Sequence, residues 1–312
     1  MMKFCVLALL LLSVPCLAAE TTVHDLNAVP GVIKQPEGKR AFADQIEGKT
    51  DTTPLGTSLP VGLSRDTIIR LVAPQADPSL VTLVGAKPWA HLANGYVAIV
   101  CAAHDANDKK ISAEGGSRQA CDLYPTVCLG VLMLAPGGEA KLVARTPPGF
   151  LLTSDWAATD ASLLYPSVAP VDPGNDNEFP PGRGDNTVTA FDLAPYRIAP
   201  DMFAFGLRSD QYEGYAGGGA NFETLHLFIA DGATLKRVLA QPIYASSMIA
   251  GDWHKDGTRD HQFTESKLTL AVASSMTAGH YDLRVRELAS KHQAVLHWDA
   301  AKGVYRVPSG GS

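Results

Sequence analysis

Short apolar segments separated by turn sequences are the feature that most constrains how this chain can fold. The segments are two to six residues long, a length that favours strands over helices. Between them stand sequences typical of hairpin turns, such as Asn94-Gly95 and Asp231-Gly232. We therefore predict a mainly β fold of antiparallel strands. The apolar segments are residues 81–84, 96–101, 129–134, 142–144, 203–207, 225–229, 238–239, 268–272 and 295–298.

Short sequence blocks recur in the same order in the two halves of the chain. Recurring blocks of this kind are the signature of a repeated structural unit. We expect two tandem, related antiparallel β units, each a sandwich or a partly closed barrel. Residues 81–89 resemble residues 188–196 at an offset of 107, residues 132–137 resemble residues 227–232 at an offset of 95, and residues 154–156 resemble residues 251–253 at an offset of 97.

Composition shifts along the chain suggest where these units begin and end. A polar stretch without periodicity precedes the first apolar segment, and a stretch rich in Pro, Gly and Asp separates the halves. Residues 287–293 are the best helical candidate. The predicted organisation is a signal peptide at 1–18, an extended lead-in at 19–58, a first β unit at 59–170, a linker at 171–186 and a second β unit at 187–312.

The N-terminus has the three-part layout of a secretory signal. Lys3 supplies a positive charge, residues 4–12 form an apolar run, and small residues precede a predicted cleavage after Ala18 or Ala19. Nine apolar residues are too few to span a bilayer, and no later run is long enough. We therefore expect a secreted or periplasmic protein. Its net charge of −6, without a basic stripe, argues against nucleic acid as a partner.

Three cysteines lie beyond the predicted signal, so at most one intramolecular disulfide can form. Cys121 and Cys128 fall in one predicted loop region, and we predict that they pair, because an exported protein meets an oxidising environment. Cys101 lies in an apolar run and would then be a buried free thiol. The alternative is a bond between Cys101 and Cys128.

Residues 252–260 have the spacing of a cation-binding loop. Carboxylates stand at its first, fifth and ninth positions, with glycine at the sixth. The loop resembles the calcium loop of FG-GAP (integrin-type) repeats, which joins two strands. The resemblance implies Asp252, Asp256 and Asp260 as Ca²⁺ ligands, with Thr258 contributing its carbonyl. His254 departs from the pattern, which has Asp or Asn there.

Two other interpretations of this loop remain open. One is a transition-metal site formed by His254, His261 and Asp256, since imidazole is a common ligand for such metals. The other is an ordinary Asp-Gly turn whose charges are solvated.

Residues 212–220 combine tyrosines and glycines in a way that suits a binding loop. Glycines allow a backbone to approach another molecule closely, and tyrosine supplies a rigid contact that is both apolar and polar. The candidate residues are Tyr212, Tyr215, Gly217, Gly218 and Gly219. The alternative is a plain hairpin connection.

No catalytic signature occurs in the sequence, and we therefore expect binding rather than catalysis. The predicted function is that of a secreted or periplasmic binding protein, either hydrolase-inhibitor-like or envelope-interacting. Its partner would be an envelope or extracellular protein or a glycan. The alternative is a secreted hydrolase whose site is assembled only in three dimensions. The tryptophans are expected to anchor the core: Trp89, Trp156, Trp253 and Trp298.

Overall fold

A computed structural model describes residues 53–115, 126–150, 187–215, 218–288 and 292–307, together with Gly31, Cys121 and Leu152. The described chain is mainly β, as predicted. The proposed linker at 171–186, Trp156 and Gly217 lie outside the described residues.

The first four strands form an antiparallel meander, in which each strand pairs with the next along the chain. The apolar runs of the sequence fall inside these strands. The hairpin turn between the third and fourth strands contains Gly137 and Gly138, and both have positive φ. The strands are β1 (Val81–Pro88), β2 (Gly95–Ala102), β3 (Thr126–Leu134) and β4 (Ala140–Arg145).

The next eight strands continue the antiparallel pattern from neighbour to neighbour. A short parallel contact between Arg145 and Thr234 links β4 to the eighth strand. The strands are β5 (Thr187–Ala199), β6 (Met202–Tyr215), β7 (Gly218–Asp231), β8 (Thr234–Trp253), β9 (Arg259–Thr277), β10 (His280–Glu287), β11 (Gln293–Asp299) and β12 (Val304–Arg306).

Three hydrophobic clusters lie between successive layers of the fold. The first cluster joins the first meander to a second meander, strands β5–β8, through residues such as Ile99, Leu129 and Phe205. The second lies between strands β5–β8 and strands β9–β12, and it includes Leu227 and Leu283. The third lies beneath a helix on the outside of the first meander. This layering is a sandwich, and the sheet stays open within the described part of the chain.

That helix, α1 (Arg65–Val72), was not predicted from the sequence. Ser64 caps its N-terminus by accepting a hydrogen bond from the Thr67 amide at 3.2 Å. Its buried face contacts β3 closely, because a Cβ on Gly130 would lie 2.7 Å from a methyl of Val72. A second helix, α2 (Ala106–Gly115), follows β2. The helix predicted at 287–293 is wrong, since Glu287 ends β10 and Gln293 begins β11.

The disulfide joins Cys101 to Cys121, with 5.9 Å between their Cα atoms. The predicted Cys121–Cys128 bond is therefore wrong, and so is the alternative bond between Cys101 and Cys128. Cys101 pairs with Val127 across β2 and β3, so the next residue, Cys128, points to the opposite face of the sheet. Cys128 is a free thiol packed against the third cluster.

Leu55 lies in the segment predicted as a polar lead-in, yet it is fully buried in the first cluster. The backbone around it joins the two meanders. The Ala86 amide donates to the Gly56 carbonyl at 3.0 Å, and the Phe191 amide donates to the Pro54 carbonyl at 3.1 Å. The packed part of the chain therefore begins before the predicted boundary at residue 59.

Both meanders have the same strand order, but their registers agree only in part. The first hairpin of each pairs Gly85 with Ile99 and Asp192 with Gly206, which are equivalent at the predicted offset of 107. The next hairpins do not share the predicted offset. Ala98 pairs with Gly130 and Phe205 pairs with Phe228, so the third strands correspond at an offset of 98 rather than 95 (228 − 130).

Candidate binding surface

The ends of four neighbouring strands extend beyond the hydrophobic clusters as one antiparallel arm. We define the arm as residues 211–215, 218–222, 246–253 and 259–265. Within the described chain, none of these residues belongs to a hydrophobic cluster. The arm is therefore held together by backbone pairing between β6, β7, β8 and β9.

One row across the arm combines bare backbone with exposed apolar side chains. Gly214 pairs with Gly219, Gly219 with Met248, and Met248 with Phe263. Residues that pair directly share a face of the sheet. The exposed fractions of Met248 and Phe263 are 44% and 62%. The two glycines place no side chain on this face, so the row is a shallow depression beside an apolar patch.

The predicted binding loop lies at the end of this arm. Tyr215 pairs with Gly218 to close the β6–β7 hairpin, and Tyr212 lies three positions earlier in β6. Gly218 in turn pairs with Ile249 of β8. The structure therefore places the predicted residues that it describes at the end of the same arm that carries the apolar row.

Trp253 lies at the end of β8, where the strand enters the turn to β9. Its exposed fraction is 69%, so the expectation that it anchors the core is wrong. The Arg259 guanidinium lies 5.2 Å from the centre of its ring, a cation–π contact, and Arg259 Nε donates to the Gly251 carbonyl at 2.9 Å. Trp89, by contrast, is buried in the first cluster as expected. Both Trp253 and Phe263 stand in otherwise polar sequence, which is a signal that sequence reasoning missed.

The predicted calcium loop forms the β8–β9 hairpin turn on this same arm. The His254 amide donates to the Thr258 carbonyl at 2.8 Å, and Gly257 has a φ of 83°. Asp256 Oδ1 accepts from the Thr258 amide at 3.0 Å and from its hydroxyl at 2.7 Å. These two bonds hold the pKa of Asp256 below its usual range.

The remaining residues of the loop are exposed and partly engaged with one another. His254 Nε2 lies 2.7 Å from Asp260 Oδ1, and Asp252 is exposed. In the part of the chain that the structure describes, no three His, Cys, Asp or Glu side chains converge as they would around one metal ion. The turn is thus closed by its own hydrogen bonds.

A charged network lies at the base of the arm. Arg208 donates to Asp192 Oδ2 at 2.6 Å and to Glu223 Oε1 at 2.5 Å. Asp210 pairs directly with Glu223 across β6 and β7. Burial and the neighbouring Glu223 charge raise the pKa of Asp210 to about 6, although Arg208 acts in the opposite direction.

A Ser–His pair lies deeper, beneath this network. Ser209 Oγ is 3.0 Å from His226 Nε2. Such a pair suggests a nucleophile with its base, but the exposed fractions of the two residues are only 1% and 0%. His226 Nδ1 is buried without a hydrogen-bond partner among the described residues, so no third group orients the ring. Burial, with the Arg237 charge, lowers the pKa of His226 to about 3. The pair is thus shielded from any substrate.

A shallow groove of about 200 Å³ lies at the opposite ends of the same strands. His280 stacks on Trp298 there with 3.8 Å between ring centres, and Met202 and Ile229 also line it. Lys236 and Asp231 form an ion pair at the groove. The groove is small compared with ligand sites of several hundred Å³.

Comparison with known proteins found no relative that would indicate a function, so the arm is the main evidence for function. No family model matches the chain, and neither the curated proteins nor the solved structures gave a significant match. No helix in the described residues has the length and apolar character that a membrane span requires.

Proposed function

We propose that this chain is an exported binding protein that contacts its partner through the arm. The observation that carries the proposal is the concentration of exposed Trp253, Phe263 and Met248 beside a bare glycine row. Aromatic side chains contribute much of the binding energy at protein interfaces, and an exposed apolar surface of this kind marks interaction sites. The partner is an envelope or extracellular protein or a glycan.

Hydrolase inhibition is the concrete form of this function that the shape of the arm supports. A hairpin that projects beyond the core can enter the cleft of an enzyme, whereas a flat sheet face cannot. The two hairpin ends of the arm lie side by side, so both predicted loops would reach one partner together.

The test compares exposed apolar residues on the arm with exposed apolar residues elsewhere. The arm variant is Trp253→Ser with Phe263→Ser. The matched control is Val61→Ser with Leu288→Ser, whose native side chains are 97% and 50% exposed. The purified full chains are incubated with an envelope extract from the producing cell and with isolated cell-wall glycan. We expect the arm variant to bind about thirty-fold more weakly, since a central Trp is worth about 2 kcal/mol, and the control to bind normally. Equal binding by both variants would contradict the proposal.

The runner-up function is a secreted hydrolase, and the pairing of Asp210 with Glu223 is the observation that favours it. A carboxylic acid with a pKa of about 6 beside a second carboxyl group can take part in general acid or base catalysis. Turnover of a glycan substrate by the wild type, lost in both Asp210→Asn and Glu223→Gln, would support it over binding.

Export and duplication are two further parts of the proposal. Export predicts a mature N-terminus at Ala19 or Glu20, which intact-mass measurement of protein from the producing cell checks; retention of Met1 would contradict it. Duplication is supported by the common strand order and by the shared register of the first hairpins.

A further inference from the structure

Along the arm, β9 has a partner strand on one side only within the described chain. Residues 259–267 pair with β8 on one side. On the other side, β10 pairs with β9 only from Leu268 onward, and the Leu288 amide reaches the Lys267 carbonyl. Within the described chain, the outward amides and carbonyls of residues 259–266 therefore have no backbone partner. Such an edge is a template for pairing with another strand.

The side chains along this edge complement the same edge of a second copy. When two copies of β9 run antiparallel about Gln262, Arg259 of each copy lies opposite Glu265 of the other. Opposite charges placed directly across a strand pair stabilise it, and symmetry makes the contact twice. His261 then lies opposite Phe263, which adds an aromatic pair.

Neighbouring registers are less favourable. Pairing about Phe263 sets Arg259 against Lys267, which places like charges opposite each other. Pairing about His261 sets that residue against itself and leaves Glu265 opposite the turn. The charges of this edge therefore favour the register about Gln262 over its neighbours. They also oppose pairing of the edge with unrelated strands.

We propose that two copies of this chain associate through the β9 edges of their arms, antiparallel about Gln262. The two arms then form one continuous sheet. A twofold axis perpendicular to that sheet keeps Phe263 of both copies on one face, so the dimer presents two binding surfaces side by side. This assembly does not depend on the proposed binding function, because it rests on the unpaired backbone edge of β9 and on the charges of Arg259 and Glu265.

Disulfide trapping tests the register. In a Cys128→Ser background, Gln262→Cys places the new thiol opposite its own copy. Thr264→Cys is the matched control: it lies on the same face of the same strand, but the two copies of residue 264 are about 13 Å apart in this register. We expect mild oxidation to give a covalent dimer with Gln262→Cys at least about ten times faster than with Thr264→Cys. A mixture of Asp260→Cys and Thr264→Cys chains should cross-link, since these positions face each other.

Charge reversal tests the interaction without cysteines. Sedimentation velocity on the full chain should show a concentration-dependent dimer. Arg259→Glu and Glu265→Arg should each weaken it about ten-fold or more, and the double variant should restore it. The rescue separates the intermolecular contact from the bonds that Arg259 makes within its own arm. A chain that stays monomeric up to about 100 µM, or equal cross-linking of Gln262→Cys and Thr264→Cys, would overturn the proposal.

Discussion

At the scale of single residues, two titratable side chains near the base of the arm make stability depend on pH in opposite directions. His226 is neutral in the fold, and its pKa of about 3 lies below its usual 6.5. Below pH 6.5 this histidine is protonated in the unfolded chain but stays neutral in the folded chain. The free energy of unfolding therefore falls as the pH falls. Asp210 has a pKa near 6 against a usual 3.8. Between about pH 4 and pH 6 the folded chain keeps a proton on Asp210 that the unfolded chain has lost. The contribution of Asp210 to the free energy of unfolding therefore falls as the pH rises through this range.

Replacing either residue should therefore leave the pH dependence of stability that the other residue causes. The free energy of unfolding, measured by urea titration between pH 4 and pH 7, should fall more steeply with acid in Asp210→Asn than in the wild type. His226→Gln keeps a hydrogen bond to Ser209, and it should lose up to about 1.4 kcal/mol per pH unit of the acid dependence. Each result is read as the slope of the variant minus that of the wild type, which cancels other titrating groups. Parallel slopes for all three chains would show that neither pKa is shifted.

The calcium interpretation of residues 252–260 has an equally direct test at this scale. A cation that binds only the folded chain at 100 times its Kd stabilises it by about 2.7 kcal/mol. Under this interpretation, millimolar Ca²⁺ raises the Tm of the wild type, chelator lowers it, and Asp256→Ala abolishes the response. Asp299→Ala is the matched control, because Asp299 closes a hairpin turn by accepting from the amides of Ala301 and Lys302. A Tm that does not change with Ca²⁺ would contradict the calcium interpretation, and Asp256 would then serve only to stabilise the turn.

At the scale of elements, the strands that could be predicted are those with a buried face. Residues 96–101 and 129–134 were recognised because their apolar runs pack on both sides of a central sheet. The arm could not be recognised in the same way, because its described residues belong to no hydrophobic cluster and its strands carry few apolar residues. Helix α1 was missed although Ser64 and the spacing of its buried residues mark it.

Register was the other limit of sequence reasoning. The block at 132–137 was aligned with 227–232, yet the strand pairing shifts that correspondence by three residues. An odd shift moves every side chain to the opposite face, so the similar residues of these two blocks do not occupy equivalent sites. The disulfide failed for the same reason, because the face on which Cys128 lies depends on its register with β2.

The Cys101–Cys121 bond should be the one covalent constraint that matters for stability. It closes a loop of 20 residues and ties β2 to the segment that bridges to Val188 of β5. Loops of this size contribute about 3 kcal/mol when closed. Cys121→Ala, or reduction of the wild type, should lower the free energy of unfolding by about that amount. Cys128→Ala is the control and should cost about 1 kcal/mol, for lost packing alone. Equal losses in the two variants would argue against the bond.

At the scale of the whole molecule, the structure divides into a layered sandwich and an arm that is outside its clusters. The sandwich is stabilised by apolar burial, whereas the described residues of the arm pair across four strands and belong to no hydrophobic cluster. Regions with few buried apolar contacts open with low free energy and are common at binding surfaces. A surface that orders further on binding would fit the proposed function.

Amide hydrogen exchange should reveal this division within one strand. The inner half of β8, residues 235–243, contributes Leu235, Val238 and Ile243 to hydrophobic clusters, whereas the outer half, residues 246–253, contributes none. Peptides from the outer half should exchange at least about ten times faster than those from the inner half. Raising the protein concentration should slow exchange in residues 259–266 if the β9 edges pair, because those amides gain partners. Uniform protection along β8 at every concentration would mean that the arm and the sandwich unfold as one unit.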